Sequence, residues 1–82
     1  MERKFTIGVI VANYPGVLNR VSGLFSKRGF NMDTVSVGEI GGTDCTYIII
    51  SMQGDEKSEY QVTTQLKKLH DVKKVINLKE LI

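Results

Sequence analysis

The stretch "FTIGVIVANYPGVLNRVSGLF", residues 5–25, changes its period halfway along. Up to Ala12 the side chains alternate. Phe5, Ile7, Val9 and Val11 share one face, while Thr6, Gly8, Ile10 and Ala12 take the other. That period predicts a strand over residues 4–12, and the apolar Ile10 on the second face suits a central strand. From Pro15 to Arg28 the residues Val17, Leu18, Val21, Leu24 and Phe25 fall on one stripe of an amphipathic helix. Pro15 suits the first helical position, where its missing N–H removes no bond. Lys27 and Arg28 complement the negative helix end, and Gly29 is placed as a left-handed cap.

Working outward, "FNMDTVSVGEI" reads as a more polar strand at a sheet edge, "GGTD" as a turn, and "CTYIIISMQ" as a second buried strand. "GDEKSEY" opens another helix, capped by Asp55 or Ser58, with Val62, Leu66 and Leu69 as its buried stripe. "VKKVINLKEL" closes as a fourth strand of ambiguous register, because both faces carry apolar and charged residues. The order β-α-β-β-α-β predicts an α+β, ferredoxin-like βαββαβ sandwich: a four-stranded antiparallel sheet with two helices on one face. No linker or repeat divides residues 1–82, so one domain is expected. That fold hosts many unrelated functions.

Eighty-two residues bury only about 60–65% of the unfolded chain's surface, and such thin cores often gain stability by oligomerising. The lone Cys45 cannot form an internal disulfide and reads as a buried strand residue, which fits a reducing, cytoplasmic setting. The apolar run of "MERKFTIGVIVANYPG" is broken by Asn13 and Pro15, unlike a signal peptide. No apolar segment reaches the roughly 18 residues that span a membrane. A net charge of +2 implies neither a nucleic-acid nor a membrane partner.

The strand–helix junction has two readings. Helix starts present N–H groups without intrahelical partners, and these attract a carboxylate or phosphate. Gly16 lets a ligand approach them, and the Asn13 amide either caps the helix or binds a polar ligand. In the plainer reading Asn13, Pro15 and Gly16 only make a turn and a cap. Without GxGxxG or GxxxxGK[ST], a nucleotide phosphate site is not indicated. Asn31, just inside the second strand, weakens strand propensity without a packing reason. Gly23, in a helix interior, implies close packing of the helix on the sheet or on another helix. An edge strand over about residues 30–39 needs covering, which a second copy across a two-fold axis would provide.

The run "N-Y-P-G-V-L-N-R-V-S-G-L-F-S-K-R-G-F-N-M-D", residues 13–33, resembles the ACT domain of the small, regulatory subunit of acetohydroxyacid synthase (acetolactate synthase). The likeness extends from the first strand through "GDEKSEYQVTTQLKKLHDVKKVINL". It implies a homodimer whose sheets join through the second strand. It also implies a branched-chain amino acid, typically valine, bound between the first strand–helix loop of one subunit and the start of the partner's second strand. The matching positions are Asn13, Tyr14, Pro15, Gly16, Val17 and Leu18 on one side and Asn31 and Met32 on the other. The helix start would supply donors for the ligand carboxylate, asparagine or backbone oxygens would accept from its ammonium, and a recess near Val17, Leu18 and Met32 would take the side chain. Many members carry a second domain, whereas this sequence ends at Ile82, as a short subunit or a chain cut at the domain boundary.

Two rivals fare worse. An RNA-recognition module of this topology needs stacking aromatics on its central strands, and "CTYIIISM" offers only Tyr47. A small enzyme needs a catalytic constellation. Here His70 stands alone near the end of the second helix, beside Asp71, and no CxxC or His cluster offers a metal site. Lys67, Lys68, Lys73 and Lys74 read as one solvated basic patch. The expectation is a non-catalytic regulatory subunit with no cofactor in this chain. By the resemblance, thiamine diphosphate, magnesium and flavin belong to the catalytic subunit it activates. The alternative is a free-standing amino-acid-binding ACT domain serving another enzyme of amino-acid metabolism.

Overall fold

The computed structural model describes residues 3–13 and 16–78. The chain runs β1 (Arg3–Ala12), α1 (Val17–Lys27), β2 (Met32–Glu39), β3 (Cys45–Gly54), α2 (Glu56–Lys67) and β4 (Val72–Asn77). The strands pair antiparallel in the order β2-β3-β1-β4, the ferredoxin-like arrangement that the element order predicts. The alternation in β1 settles its orientation. Phe5, Ile7, Val9 and Val11 are all buried, against Ile48, Ile50 and Met52 of β3 and the stripes Val17–Val21–Phe25 and Val62–Leu66 of the two helices. β1 is central, as Ile10 suggests, and β2 is an edge.

Both outer strands carry an irregularity. In β4 the register shifts between Ile10↔Lys74 and Val11↔Val72, so Lys73 is the extra residue of a bulge. Val72 and Val75 therefore both pack against the core, although three residues apart in a regular strand they would face opposite ways. This removes the ambiguity in the register of β4. Asp33 plays the same part in β2, between Met32↔Met52 and Val35↔Ile50, so Met32 and Val35 share the helix-side face.

The helix ends follow local chemistry. At the end of α1 the Phe30 N–H donates to the Phe25 carbonyl at 3.0 Å and the Gly29 N–H to Ser26 at 3.2 Å, with Gly29 at φ 73°. That is a complete Schellman motif, and the Phe25 and Phe30 rings meet edge to face across it, 6.2 Å apart. For α2 the cap is Asp55 rather than Ser58: its carboxylate accepts from the Ser58 N–H at 2.8 Å.

Several expectations need correction. Gly23 is not closely packed, since a side chain there would meet nothing within 4 Å. Leu18 leaves the buried stripe and is 43% exposed, because its side of α1 faces the edge strand instead of the core. Cys45 is half-buried at the start of β3. His70 does lie near the end of the second helix as expected, exposed in the α2–β4 loop just beyond Lys67. Lys67, Lys68, Lys73 and Lys74 are all exposed, as expected of a solvated surface, but Lys67 and Lys68 border different hollows. Lys67 borders a hollow with Glu56 and Glu59, whereas Lys68 borders α1 beside Lys27 and Arg28.

Candidate functional site

The end of β1 is held from two sides. The Ala12 N–H donates to the Asp71 carbonyl and the Asn13 N–H to the Asp44 carbonyl, both at 2.9 Å. The first tie leads to the α2–β4 loop and the second to the β2–β3 turn. Tyr14 and Pro15 lie outside the described residues, and the role expected of Pro15 as first helical residue falls with them. α1 itself begins at Val17, with Gly16 at the N-cap position.

Gly16 has φ 86° and ψ −4°, a left-handed conformation that side chains other than Asn or Asp avoid. Among the described residues no side chain caps α1, so the capping role considered for Asn13 is not taken up. The first backbone bond of the helix runs from Arg20 N–H to the Gly16 carbonyl at 3.0 Å. The N–H groups of Val17, Leu18 and Asn19 therefore precede any intrahelical bond. The first turn also carries no acidic residue. α2 is the opposite case, with Asp55 as cap and Glu56 and Glu59 in its first turn. The Arg20 guanidinium adds positive potential at the opening of α1. Its Nη1 lies 3.6 Å from where a Gly16 side chain would start, and its other end pairs with Asp71.

The opening of α1 borders a recess of about 340 Å3. Asn13, Val17 and Leu18 line one wall, Val37, Gly38 and Glu39 of β2 a second, and Val11, Thr46 and Ile48 the floor. Asn13 is exposed at the mouth. Tyr47 lies across Gly38 with no room for a side chain there, so its ring packs on the sheet. The composition of the recess suits a small amphiphilic molecule: donors at the helix start, aliphatic walls, and oxygens from Asn13, Glu39 and Thr46.

Of the residues expected at the site, Asn13, Val17 and Leu18 come together here, with Gly16 beside them. Asn31 and Met32 do not. They stand where β2 begins, next to Met52 and Phe5, while the recess adjoins the end of β2 at Val37–Glu39. Seven residues of strand separate the two ends, roughly 20 Å. Asn31 is exposed and precedes the first strand residue, Met32, which packs half-buried against the core. Glu39, Val37 and Thr46 were missed by sequence reasoning. The signal that could have found them is the antiparallel β2–β3 hairpin, which must return its turn end to the β1–α1 junction.

Among the described residues no group of His, Cys, Asp or Glu could hold a metal ion, and no helix is long and apolar enough to cross a membrane.

A family model described as the AHAS small subunit-like ACT domain matches residues 7–74. The probable acetolactate synthase small subunit of Archaeoglobus fulgidus is 46% identical over 77 residues, covering 94% of this chain and 48% of that protein. The acetolactate synthase small subunit of Mycobacterium avium is 40% identical over 75 residues, covering 92% and 45%. The crystal structure of the small subunit from Thermotoga maritima superposes with a TM-score of 0.86 at 36% identity, over 92% of this chain and 47% of that one. The ACT domain of a Chlorobium tepidum GTP pyrophosphokinase, at TM-score 0.80 and 16% identity, shares the fold alone. The chain spans about half the length of the curated relatives it matches. ACT domains are regulatory modules rather than catalytic ones, and this chain belongs to the family found in the small subunit of acetohydroxyacid synthase.

Proposed function

We propose that this chain is the regulatory domain of an acetolactate synthase small subunit. In this reading it pairs with a second copy through β2, binds a branched-chain amino acid, valine first among them, and acts on a cytoplasmic catalytic subunit. That subunit carries the thiamine diphosphate, magnesium and flavin. The observation that carries the reading is the uncapped start of α1 opening on an aliphatic recess in a chain of this family. The ligand carboxylate would face the N–H groups of the first turn, where the helix dipole favours negative charge. Asn13, Glu39 and Thr46 would receive the ammonium, and Val17, Leu18 and Val37 the side chain.

The distance between Asn31 and the recess supports the pairing. When β2 pairs antiparallel with its own copy about a two-fold axis near the strand's middle, residue 32 of one copy lies beside residue 39 of the other. Asn31 and Met32 of the second copy then reach the open side of the recess. Neither chain holds a complete site alone.

Calorimetry with valine, leucine and isoleucine tests the ligand, and titration into the cognate catalytic subunit tests the activation. Asn31→Ala should weaken binding by roughly 0.5–1.5 kcal/mol for each hydrogen bond lost. If the wild-type chain binds none of the three amino acids, the sensing role fails. If catalytic turnover is unchanged across a wide range of added protein, the assignment to that enzyme fails.

A further inference from the structure

Gly23 is a helix-interior glycine that nothing among the described residues requires, since a side chain there would touch none of their atoms within 4 Å. Its effect is to notch the flank of α1 that faces α2. There a groove of about 590 Å3 runs between the helices, floored by Leu24 and Leu69. Arg20, Lys27, Arg28 and Lys68 rim it, and among the described residues no carboxylate lines it. Among the described residues only Arg20 of these four has an acidic partner, Asp71; Arg28 donates to the Gln65 amide oxygen at 2.9 Å.

We infer that this α1–α2 groove is a docking site for an acidic protein segment carrying an aliphatic anchor, and that the catalytic subunit supplies it. The inference rests on the function proposed above. Lys27, Arg28 and Lys68 around an apolar floor complement carboxylates that flank a Leu-like side chain, and the Gly23 notch admits that side chain close to the helix backbone. A small anion would leave Leu24 and Leu69 uncovered. A nucleic-acid strand calls for aromatic stacking surfaces, and among the described residues no ring lines the groove. Gly23 lies about 140° around the helix from Leu18. An occupant of the groove therefore leaves the recess and the β2 edge accessible, so docking and amino-acid binding occur on different flanks of α1.

The test uses the full-length protein and the catalytic subunit of the same organism, measuring the Kd between them at two salt concentrations and, in parallel, valine binding and the melting curve. The variants are Gly23→Glu, which fills and recharges the notch, and the double change Lys27→Glu with Lys68→Glu on exposed positions. Each should raise the Kd for the catalytic subunit about tenfold or more, flatten its salt dependence and leave valine binding within about twofold of wild type. If Gly23→Glu does not fold, the double variant carries the test. A Kd unchanged in folded variants overturns the groove while the proposed function stands. Failure of the wild-type protein to bind the catalytic subunit overturns both. Binding of a fluorescent single-stranded oligonucleotide that Gly23→Glu abolishes, with subunit docking intact, overturns the groove's assignment to a protein segment.

Discussion

Gly16 carries a left-handed backbone, and in the proposed function it also leaves the approach to the first turn of α1 unblocked. The positive φ changes how a substitution there must be read. An aspartate does not simply suit the helix dipole, because any side chain at φ 86° is strained. Gly16→Ala should therefore destabilise the fold by about 1–2 kcal/mol in chemical denaturation. Asparagine and aspartate tolerate this conformation best and have nearly the same shape. Comparing Gly16→Asn with Gly16→Asp thus isolates the charge. Valine binding should survive better in Gly16→Asn, and equal losses would place the ligand carboxylate away from this helix end. A second residue-scale effect lies at Asp55. The Ser58 backbone N–H, and then its side chain, hold the Asp55 carboxyl below its usual pKa. The folded pKa is depressed, so the cap's contribution is complete above the ordinary aspartate value and is lost as pH falls through the lowered one. Asp55→Asn keeps an acceptor but does not titrate. Between about pH 5 and pH 2 its stability should fall less steeply than that of the wild type, as read by urea midpoints.

At the scale of the elements, the two glycines of α1 should respond in opposite directions. Gly29 closes the Schellman motif at φ 73°, and Gly29→Ala should cost about 1 kcal/mol through strain. Gly23 sits in open space at helical angles, so Gly23→Ala should stabilise by about 0.5–1 kcal/mol. Thermal melts of the two variants should shift to opposite sides of the wild type, and a destabilised Gly23→Ala would mean that the notch is already filled. This pair also shows what the chain's pattern could reveal. Gly29 was legible because a helix end has a local grammar. Gly23 was not, because its environment is a surface between two helices that no local window contains. The strands divide in the same way. Alternation located β1 and its buried face, whereas the bulges at Lys73 and Asp33 break the period of two and hide the register until the neighbouring strand is placed. Asn13, Gly16, Val17 and Leu18 of the candidate site lie within one short segment and could be read from it. Glu39 and Thr46 join them only through the return of the β2–β3 hairpin.

Across the whole molecule, two features tie distant parts of the chain together. One is internal. Glu59, 7% exposed on α2, accepts from the Arg3 guanidinium at 2.6 Å and from the Asn77 amide, joining the start of β1 and the end of β4. Removing the carboxylate takes the charged partner from Arg3, which keeps part of its contact with water. Glu59→Ala should therefore cost about 2 kcal/mol, less than a fully buried pair would, as measured by chemical denaturation. The other feature concerns the edge strand. Val35 and Val37 point to the helix side of the sheet, opposite Ile50 and Ile48, yet remain 43% and 48% exposed. Among the described residues, the row of backbone groups along the outer side of β2 has no neighbouring strand. A second copy paired there would cover both valines and complete the backbone ladder. Val35→Lys places a charge at the centre of that junction without lining the recess. Because Val35 is already partly exposed in one chain, the variant should fold. Sedimentation should show it monomeric at concentrations where the wild type is a dimer. Valine binding should disappear with the dimer, since Asn31 and Asn13 would then stand at opposite ends of one sheet. A monomeric variant that binds valine as tightly as the wild type would assign the whole ligand site to a single chain and leave Asn31 without a role in it.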